Sequence, residues 1–224
     1  PPALEILGVA QDAGRPQLNC RRSCCAPLIS DGRREPVAAL AIDGESGWWL
    51  VDATPDIVEQ IHAMGEMPQG IFLTHAHTGH YTGLLHLGHE VMGAKDVPVY
   101  AMPRMKSFLE NNGPWNQLVS LNNIEIQEMR HNKEIQLANG LVIEPILVPH
   151  RDEYSETVGF QIMGGNNSIL YIPDIDKWEK WDQNIFKRIQ HIDMALLDGT
   201  FYSQDELPNR DMSEIPHPFI VESI

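Results

Sequence analysis

Short apolar runs alternate with polar segments along most of the chain, and this pattern predicts buried strands separated by loops and short helices. Predicted strands cover residues 4–9, 37–42, 47–51, 70–73, 97–101, 124–129, 135–137, 141–148, 157–163, 168–172 and 194–197. Predicted helices, which have apolar positions at helical spacing, cover residues 56–64, 84–91, 102–111 and 178–189. Strands and helices alternate in the first half, whereas strands dominate the second, so the pattern predicts an α/β or α+β domain spanning residues 1–224.

Three local features refine this prediction. Asp43-Gly44-Glu45-Ser46 is predicted to join two strands as a hairpin turn. Thr54 is a candidate N-cap, with Pro55 at the first position of the helix over residues 56–64. Residues 10–36 and 112–123 are predicted to be irregular, since glycine, proline and asparagine interrupt both segments.

The strand over residues 70–73 leads directly into the sequence Thr-His75-Ala-His77-Thr-Gly-His80. Loops at the carboxyl ends of strands are where α/β folds place their chemistry. Neutral imidazole is the commonest metal ligand in proteins. We therefore predict a metal site here, and the alternative is a surface loop that happens to be rich in histidine.

Other strands also end in potential ligands, because His150 and Asp174 each follow a strongly apolar run. A carboxylate can bridge two metal ions and offset their charge. As alternatives, His150 could cap a carbonyl group, Asp174 could be a turn residue, and His217 could be a residue of a surface tail. Asp198 either orients a ligand histidine or forms the turn before Gly199.

The cysteines Cys20, Cys24 and Cys25 lie close together within the long irregular segment. An odd number of adjacent cysteines suits a metal clip better than a disulfide framework. We therefore predict a structural zinc site, whose fourth ligand comes from elsewhere in the chain. The alternatives are ordinary buried thiols or an oxidation-prone loop.

Composition narrows the range of partners. The 224 residues carry a formal net charge of −15, which argues against nucleic acid, since polyphosphate binding needs an excess of Lys and Arg. We expect a small-molecule substrate and a protein that can form a homodimer. We expect no membrane partner, since no apolar run approaches about 18 residues. The chain begins at Pro1 without a Met, so the cytoplasm and the periplasm both remain open as its location.

The order of these residues resembles the metallo-β-lactamase fold superfamily of hydrolases, whose motif is His-x-His-x-Asp-His followed by a distal His, an Asp and a final His. The opening Gly8-Val-Ala-Gln-Asp-Ala-Gly-Arg-Pro-Gln-Leu-Asn-Cys20, the cysteine cluster and Asp198-Gly-Thr-Phe are similar to one branch. That branch holds the pyrroloquinoline quinone biosynthesis protein B and the carbon–phosphorus lyase phosphodiesterase. The resemblance covers nearly the whole chain and implies a four-layer αβ/βα sandwich.

Carried over by position, the resemblance implies that His75, His77 and His150 bind a first metal ion. His80, Asp174 and His217 would bind or bridge to a second ion, and the metal would be zinc or manganese. The three cysteines would hold a structural zinc. Because the family's tail normally continues beyond the final histidine, we expect the sequence to end short of the full tail.

One departure from the family motif bears on function, because Gly79 stands where the motif has an aspartate. Either another carboxylate substitutes for it, with Asp12 as the candidate, or only one metal ion binds tightly. The leading hypothesis is a metal-dependent hydrolase of a small phosphodiester or ester, in which a metal-bound hydroxide attacks. The rival is a degenerate single-metal, non-hydrolytic protein with a binding or cofactor-biosynthesis role.

Overall fold

The structure, a computed structural model, describes residues 3–44, 47–206, 211 and 214–224. Residues 45 and 46 of the predicted hairpin turn therefore lie outside the described residues. The strands are β1 (Ala3–Gly8), β2 (Ala39–Gly44), β3 (Gly47–Val51), β4 (Gly70–Phe72), β5 (Val97–Ala101), β6 (Ile124–Glu128), β7 (Ile135–Gln136), β8 (Val142–Leu147), β9 (Val158–Gly164), β10 (Asn167–Ile172) and β11 (Met194–Leu197). The α-helices are α1 (Ala26–Asp31), α2 (Ile57–Met64), α3 (Thr78–Tyr81), α4 (Pro103–Asn111), α5 (Trp115–Ser120), α6 (Ile185–Arg188) and α7 (Ile220–Ser223).

The strands form two sheets. The first has six strands in the order β1-β2-β3-β4-β5-β6, and the second has five in the order β11-β10-β9-β8-β7. Strands β3 to β6 run parallel to one another, as do β10 and β11, whereas the other pairs are antiparallel. Parallel strands bring their carboxyl ends to the same edge of a sheet, so the loops that follow them meet there.

Three apolar layers hold the two sheets and the helices together. The layer between the sheets contains Phe72 from the first sheet and Phe160 from the second, whose rings meet edge to face at 5.8 Å. Helices α2, α4 and α5 cover the outer face of the first sheet, and the segment that contains Trp181 and α6 covers the second. This arrangement confirms the predicted four-layer αβ/βα sandwich.

Two segments that were predicted to be irregular contain helices. Helix α1 lies within residues 10–36, and α5 lies within residues 112–123. Trp115, at the start of α5, packs against Tyr81 and Phe108 with ring centroids 4.9 and 5.8 Å away. Such tertiary packing stabilises helices that are too short to form alone.

Two predicted helices were wrong in extent, and a third was wrong in its N-cap. Residues 178–189 form a 3₁₀ turn and then the separate helix α6. The Trp181 indole donates to the Leu147 carbonyl (2.9 Å), and the Asn184 side chain caps α6 by accepting from the amide of Lys187. Within residues 84–91, only residues 84–87 are helical, as part of a 3₁₀ helix over Thr82–Leu87. Helix α2 has nearly the predicted extent, but its N-cap is Asp56 and not Thr54, because Thr54 Oγ1 accepts from the amide of Asp56 and forms a turn before the helix begins at Ile57.

The chain folds so that five polar loops leave the carboxyl ends of strands at one edge of the sandwich. They follow β3, β4, β8, β10 and β11, and they carry Asp52, the histidine-rich segment, His150, Asp174 and Asp198. Among the described residues, no helix is both long and apolar enough to cross a bilayer.

Candidate metal centre

The histidines and carboxylates predicted to bind metal come together in three overlapping groups. In each group one ligand atom per residue lies within 4.8 Å of the others. The groups are His75, His77 and His150; His75, His80 and Asp174; and His150, Asp174 and His217. The structure thus brings together all six of these side chains, which are separated by up to 142 positions in the sequence (217 − 75). Their role as ligands stays a prediction.

Two of the histidines have buried ring nitrogens without a hydrogen-bond partner, namely His75 Nε2 and His150 Nδ1. Burial lowers the pKa of His75 well below its usual value and lowers the pKa of His150 to about 4. Both imidazoles are therefore neutral near pH 7, and each has one buried ring nitrogen without a partner. An unpartnered buried nitrogen is costly unless a cation accepts its lone pair, so these residues fit a metal ion.

Asp52 fixes the orientation of two of the predicted ligand histidines, His80 by direct contact and His75 through Thr74. Its carboxylate, which is fully buried, accepts from His80 Nδ1 at 2.7 Å and from the hydroxyl and amide of Thr74 at 2.8–2.9 Å. Since the single hydroxyl proton of Thr74 goes to Asp52, Thr74 Oγ1 accepts from His75 Nδ1 at 2.9 Å. Both histidines thus carry a proton on Nδ1, so Nε2 is the ring nitrogen through which each would bind a metal.

His80 lies among three carboxylates. Its Nε2 atom is 2.8 Å from Asp174 Oδ2 and 3.1 Å from Asp12 Oδ1, and Asp52 lies on its other side. Burial works against the charged imidazolium, but Asp52 and Asp174 outweigh it and raise the pKa of His80 well above its usual value. Such a concentration of negative charge around one imidazole favours the binding of a cation at this position.

Asp174 is the carboxylate shared by the site. Oδ2 is 3.8 Å from His75 Nε2 in addition to its contact with His80, and Oδ1 is 3.6 Å from His217 Nδ1. Burial alone would raise the pKa of Asp174, but the neighbouring histidines, His80 above all, hold it well below its usual range. Asp174 is therefore an anion placed between the two sides of the site, as a bridging ligand requires.

Asp198 does not join the ligand groups, but it orients His217. Its Oδ2 accepts from His217 Nδ1 at 2.6 Å, and its Oδ1 accepts from the amide and hydroxyl of Thr200. Burial opposes charge on His217, and the hydrogen bond to Asp198 overcomes this and raises the pKa of His217. The contact matches the predicted role of a residue that holds a ligand histidine in one tautomer.

Two residues of the site went unnoticed in the sequence. Asp52 follows β3 directly and has a left-handed backbone with φ of 69°, and its place at a strand end was the available signal. Gln11 donates to Thr200 Oγ1 through a short contact and lies 3.4 Å from Asp174 Oδ1. Gln11 falls within the opening motif that resembles the family branch, but the motif does not indicate its role, because Gln11 reaches the site only through the path of a long loop.

The three cysteines also come together. Their sulfur atoms lie within 4.8 Å of one another, and Cys24 Sγ is 3.8 Å from Cys25 Sγ. The hydrogen bond between Cys20 and Cys25 lowers the pKa of Cys20 and raises that of Cys25. Three thiols at these distances suit zinc, but no fourth His, Asp or Glu joins the group within the described part of the chain.

A cavity of about 1350 Å³ opens beside the site, between β1 of one sheet and β11 of the other. Asp198, Thr200 and His217 of the site line it, and so do the three cysteines. Ile6, Val9, Leu18 and Leu196 supply apolar lining, and Arg15, Arg21, Arg22 and Arg151 supply positive charge. A cavity of this size accommodates a small molecule next to the ligand groups.

Comparison with known proteins identifies the family. A Beta-lactamase superfamily domain matches residues 47–221, which is more than half of the chain. The chain belongs to the beta-lactamase superfamily. The match begins at β3 and ends in α7, so it includes every predicted ligand of the histidine site but excludes Asp12 and the cysteine cluster.

Relatives within this superfamily agree with the resemblance seen in the sequence. Coenzyme PQQ synthesis protein B from Methylorubrum extorquens is 27% identical, over 90% of this chain and 74% of the relative. The solved structure of zinc-bound PqqB from Methylobacterium extorquens has a TM-score of 0.80 and 25% identity, covering 96% of this chain and 80% of the other. A diphosphatase of the PhnP family has a TM-score of 0.72 at 20% identity, covering 99% and 79%. The predicted fold and branch are thereby confirmed.

Proposed function

We propose that this protein is a metal-dependent hydrolase of a small phosphodiester or a related ester. The observation that carries the proposal is the convergence of five histidines and Asp174 at one sheet edge, beside a cavity of about 1350 Å³. Bound divalent metal ions would supply positive charge that stabilises the negative charge developing on a phosphoryl oxygen. The diphosphatase of the PhnP family, which shares the fold, supports this class of reaction.

The protein's own side chains prepare the site for such a reaction. Asp52 and Asp198 accept from His80 Nδ1 and His217 Nδ1 and so keep both rings from rotating. Because these contacts exist before any substrate enters, the ligand groups need little reorganisation during the reaction. Gln11, which contacts Asp174 and Thr200, also lines the cavity.

The cavity supports an anionic substrate despite the acidic composition of the chain. Four of the 16 Lys and Arg residues line it, in a protein whose formal net charge is −15. Arg15 is engaged by Glu35 at 2.7 Å, whereas Arg151 lies 4.0 Å from the nearest carboxylate oxygen of Glu153. Arg151, one residue after His150, is thus placed to contact a phosphoryl group held at the site.

A second candidate function is non-hydrolytic and concerns cofactor biosynthesis. Its support is the similarity to coenzyme PQQ synthesis protein B over 90% of this chain, which exceeds the similarity in sequence to the diphosphatase. On this alternative the cavity binds a small anionic precursor and the metal positions it. Gly79, where the family motif has an aspartate, favours this alternative if the centre holds a single metal ion.

Turnover of bis(p-nitrophenyl) phosphate by the purified protein with Zn²⁺ or Mn²⁺ tests the proposal. We expect release of p-nitrophenol, and we expect His150→Gln to reduce it at least about a hundredfold because a ligand is lost. His89→Gln, which alters an exposed histidine outside the site, is the matched control and should retain the activity. No turnover with either metal, despite tight metal binding, would favour the non-hydrolytic alternative.

A further inference from the structure

Gly79 and Asp12 lie in direct contact, although they are 67 positions apart in the sequence (79 − 12). A Cβ atom at position 79 would lie 2.6 Å from Asp12 Cα, and it would come still closer to Asp12 Oδ1. Gly79 lies in helix α3 and does not have a positive φ, so its backbone conformation would accept a side chain. Glycine is therefore required at position 79 because a side chain there would overlap Asp12.

The carboxylate of Asp12 points at the same atom as Asp174. Asp12 Oδ1 is 3.1 Å from His80 Nε2, and Asp174 Oδ2 is 2.8 Å from it. Asp12 Oδ1 is buried from solvent and, despite this distance, makes no well-directed hydrogen bond. With Asp52 already accepting from His80 Nδ1, a single imidazole proton cannot satisfy both remaining carboxylates. Asp12 lies outside the three groups whose ligand atoms all fall within 4.8 Å of one another, but its Oδ1 and Asp174 Oδ2 both approach His80 Nε2, and carboxylate and imidazole are ligands that divalent cations accept.

The loop that carries Asp12 is held in place on both sides. Ala10 exchanges backbone hydrogen bonds with Pro36 and Ala38 at 3.0 and 2.8 Å, and Gly14 N donates to the Gln11 carbonyl at 2.7 Å. The Gln11 side chain adds contacts to Thr200 and Asp174. Asp12 therefore lies in a turn whose two ends are held by hydrogen bonds. A metal ligand held in this way loses little conformational entropy when the metal binds.

We propose that Asp12 supplies the carboxylate ligand that this chain lacks at position 79, so that a loop far away in the sequence completes the second metal site. Gly79 and Asp12 then act together, since the absence of a side chain at position 79 leaves room for the Asp12 carboxylate. The inference rests on the proposed metal centre but not on hydrolysis. It also means that Gly79→Asp would not simply restore the family motif, because the new side chain would collide with the loop.

Zinc binding tests this inference independently of turnover. The apoprotein would be titrated with Zn²⁺ against a chromophoric chelator, and bound zinc would be counted by mass spectrometry, with the cysteine site contributing equally to each variant. We expect two zinc ions besides the cysteine site in the unaltered protein. In Asp12→Asn, which keeps the shape but loses the charge, we expect the weaker of these two ions to bind at least about tenfold less tightly.

Gly79→Ala is the second, independent variant. It removes no ligand atom, yet its methyl group must displace Asp12, so we expect the same loss of affinity as in Asp12→Asn. Asp43→Asn, an exposed carboxylate in β2, is the matched control and should bind zinc as the unaltered protein does. Circular dichroism would establish that each variant is folded, and Asp12→Glu, which keeps a carboxylate, should lose less affinity than Asp12→Asn.

The outcomes separate this inference from the proposed function. Unchanged zinc number and affinity in folded Asp12→Asn would overturn the role of Asp12, whether or not the protein hydrolyses bis(p-nitrophenyl) phosphate. A single zinc besides the cysteine site in the unaltered protein would also overturn it. Loss of one zinc in Asp12→Asn, together with no turnover by the unaltered protein, would support Asp12 as a ligand and refute only the hydrolase.

Discussion

Asp52→Asn should weaken zinc binding while leaving the fold intact. The asparagine carbonyl can still accept from the Thr74 amide and hydroxyl, which lie 2.8–2.9 Å from the present carboxylate. Its NH₂ group would then face His80 Nδ1, now 2.7 Å from Asp52 Oδ2. Because a donor opposite Nδ1 forces the ring proton onto Nε2, His80 would lose the lone pair that faces the metal site.

The expected magnitude follows from the role of such contacts. Changes to a residue that orients a metal ligand typically cost tenfold to a hundredfold in metal affinity, which corresponds to about 1.4–2.7 kcal/mol. Asp52→Ala differs, since it also leaves the buried Thr74 amide without an acceptor, at a cost of about 1–3 kcal/mol in folding free energy. Only the alanine variant should therefore melt markedly earlier as apoprotein.

Two measurements check this pair of expectations. Competition with a chromophoric chelator gives the zinc affinity, and a thermal melt of the metal-free protein gives the stability. Asp43→Asn, which alters an exposed carboxylate, serves as the control for both. Wild-type zinc affinity in Asp52→Asn would refute the idea that Asp52 sets the tautomer of His80.

Three further expectations concern other parts of the molecule. Cys24→Ser should remove about one zinc ion per chain in elemental analysis and leave the zinc of the histidine site bound, because the thiols form a group separate from the histidine groups; equal zinc content would exclude the cysteine site. Arg151→Gln should raise KM for an anionic substrate about tenfold with little change in kcat, as steady-state kinetics would show; a change in kcat alone would contradict it. Phe160→Ala, which empties a fully buried position between the sheets, should cost about 3–5 kcal/mol in urea unfolding. A loss under about 1 kcal/mol would mean that the inter-sheet layer collapses around the cavity.

The elements that the sequence predicted well are those whose burial leaves a strong local pattern. Strand β5 has the predicted bounds at Val97–Ala101, and β11 at Met194–Leu197. The failures are short helices whose stability comes from distant partners. Helix α5 depends on Trp115 packing against Tyr81, which lies in another element. No periodicity over six residues can reveal such a contact.

The histidine site was largely accessible from the sequence because strand ends mark it. His75, His77, His80, His150 and Asp174 each follow an apolar run, and the fold carries all of them to one edge. Residues that position these ligands are harder to find. Gln11 and Asp52 are ordinary polar residues in the sequence, and only their distances to Asp174 and His80 reveal what they do.

The residue pattern by itself therefore determined the strands, the strand ends that carry the polar loops and the residue types available there, because burial and strand ends are local properties of a chain, whereas the two-sheet sandwich followed from the resemblance to the family. Only the tertiary structure decided how position 79 and the loop after β1 relate to each other. Read along the chain, Gly79 is a missing carboxylate and Asp12 is a candidate substitute with no visible relation to position 79. In space, a Cβ at position 79 would occupy the place of Asp12, whose carboxylate lies 3.1 Å from His80. That relation depends on excluded volume between distant segments, which no sequence pattern encodes locally.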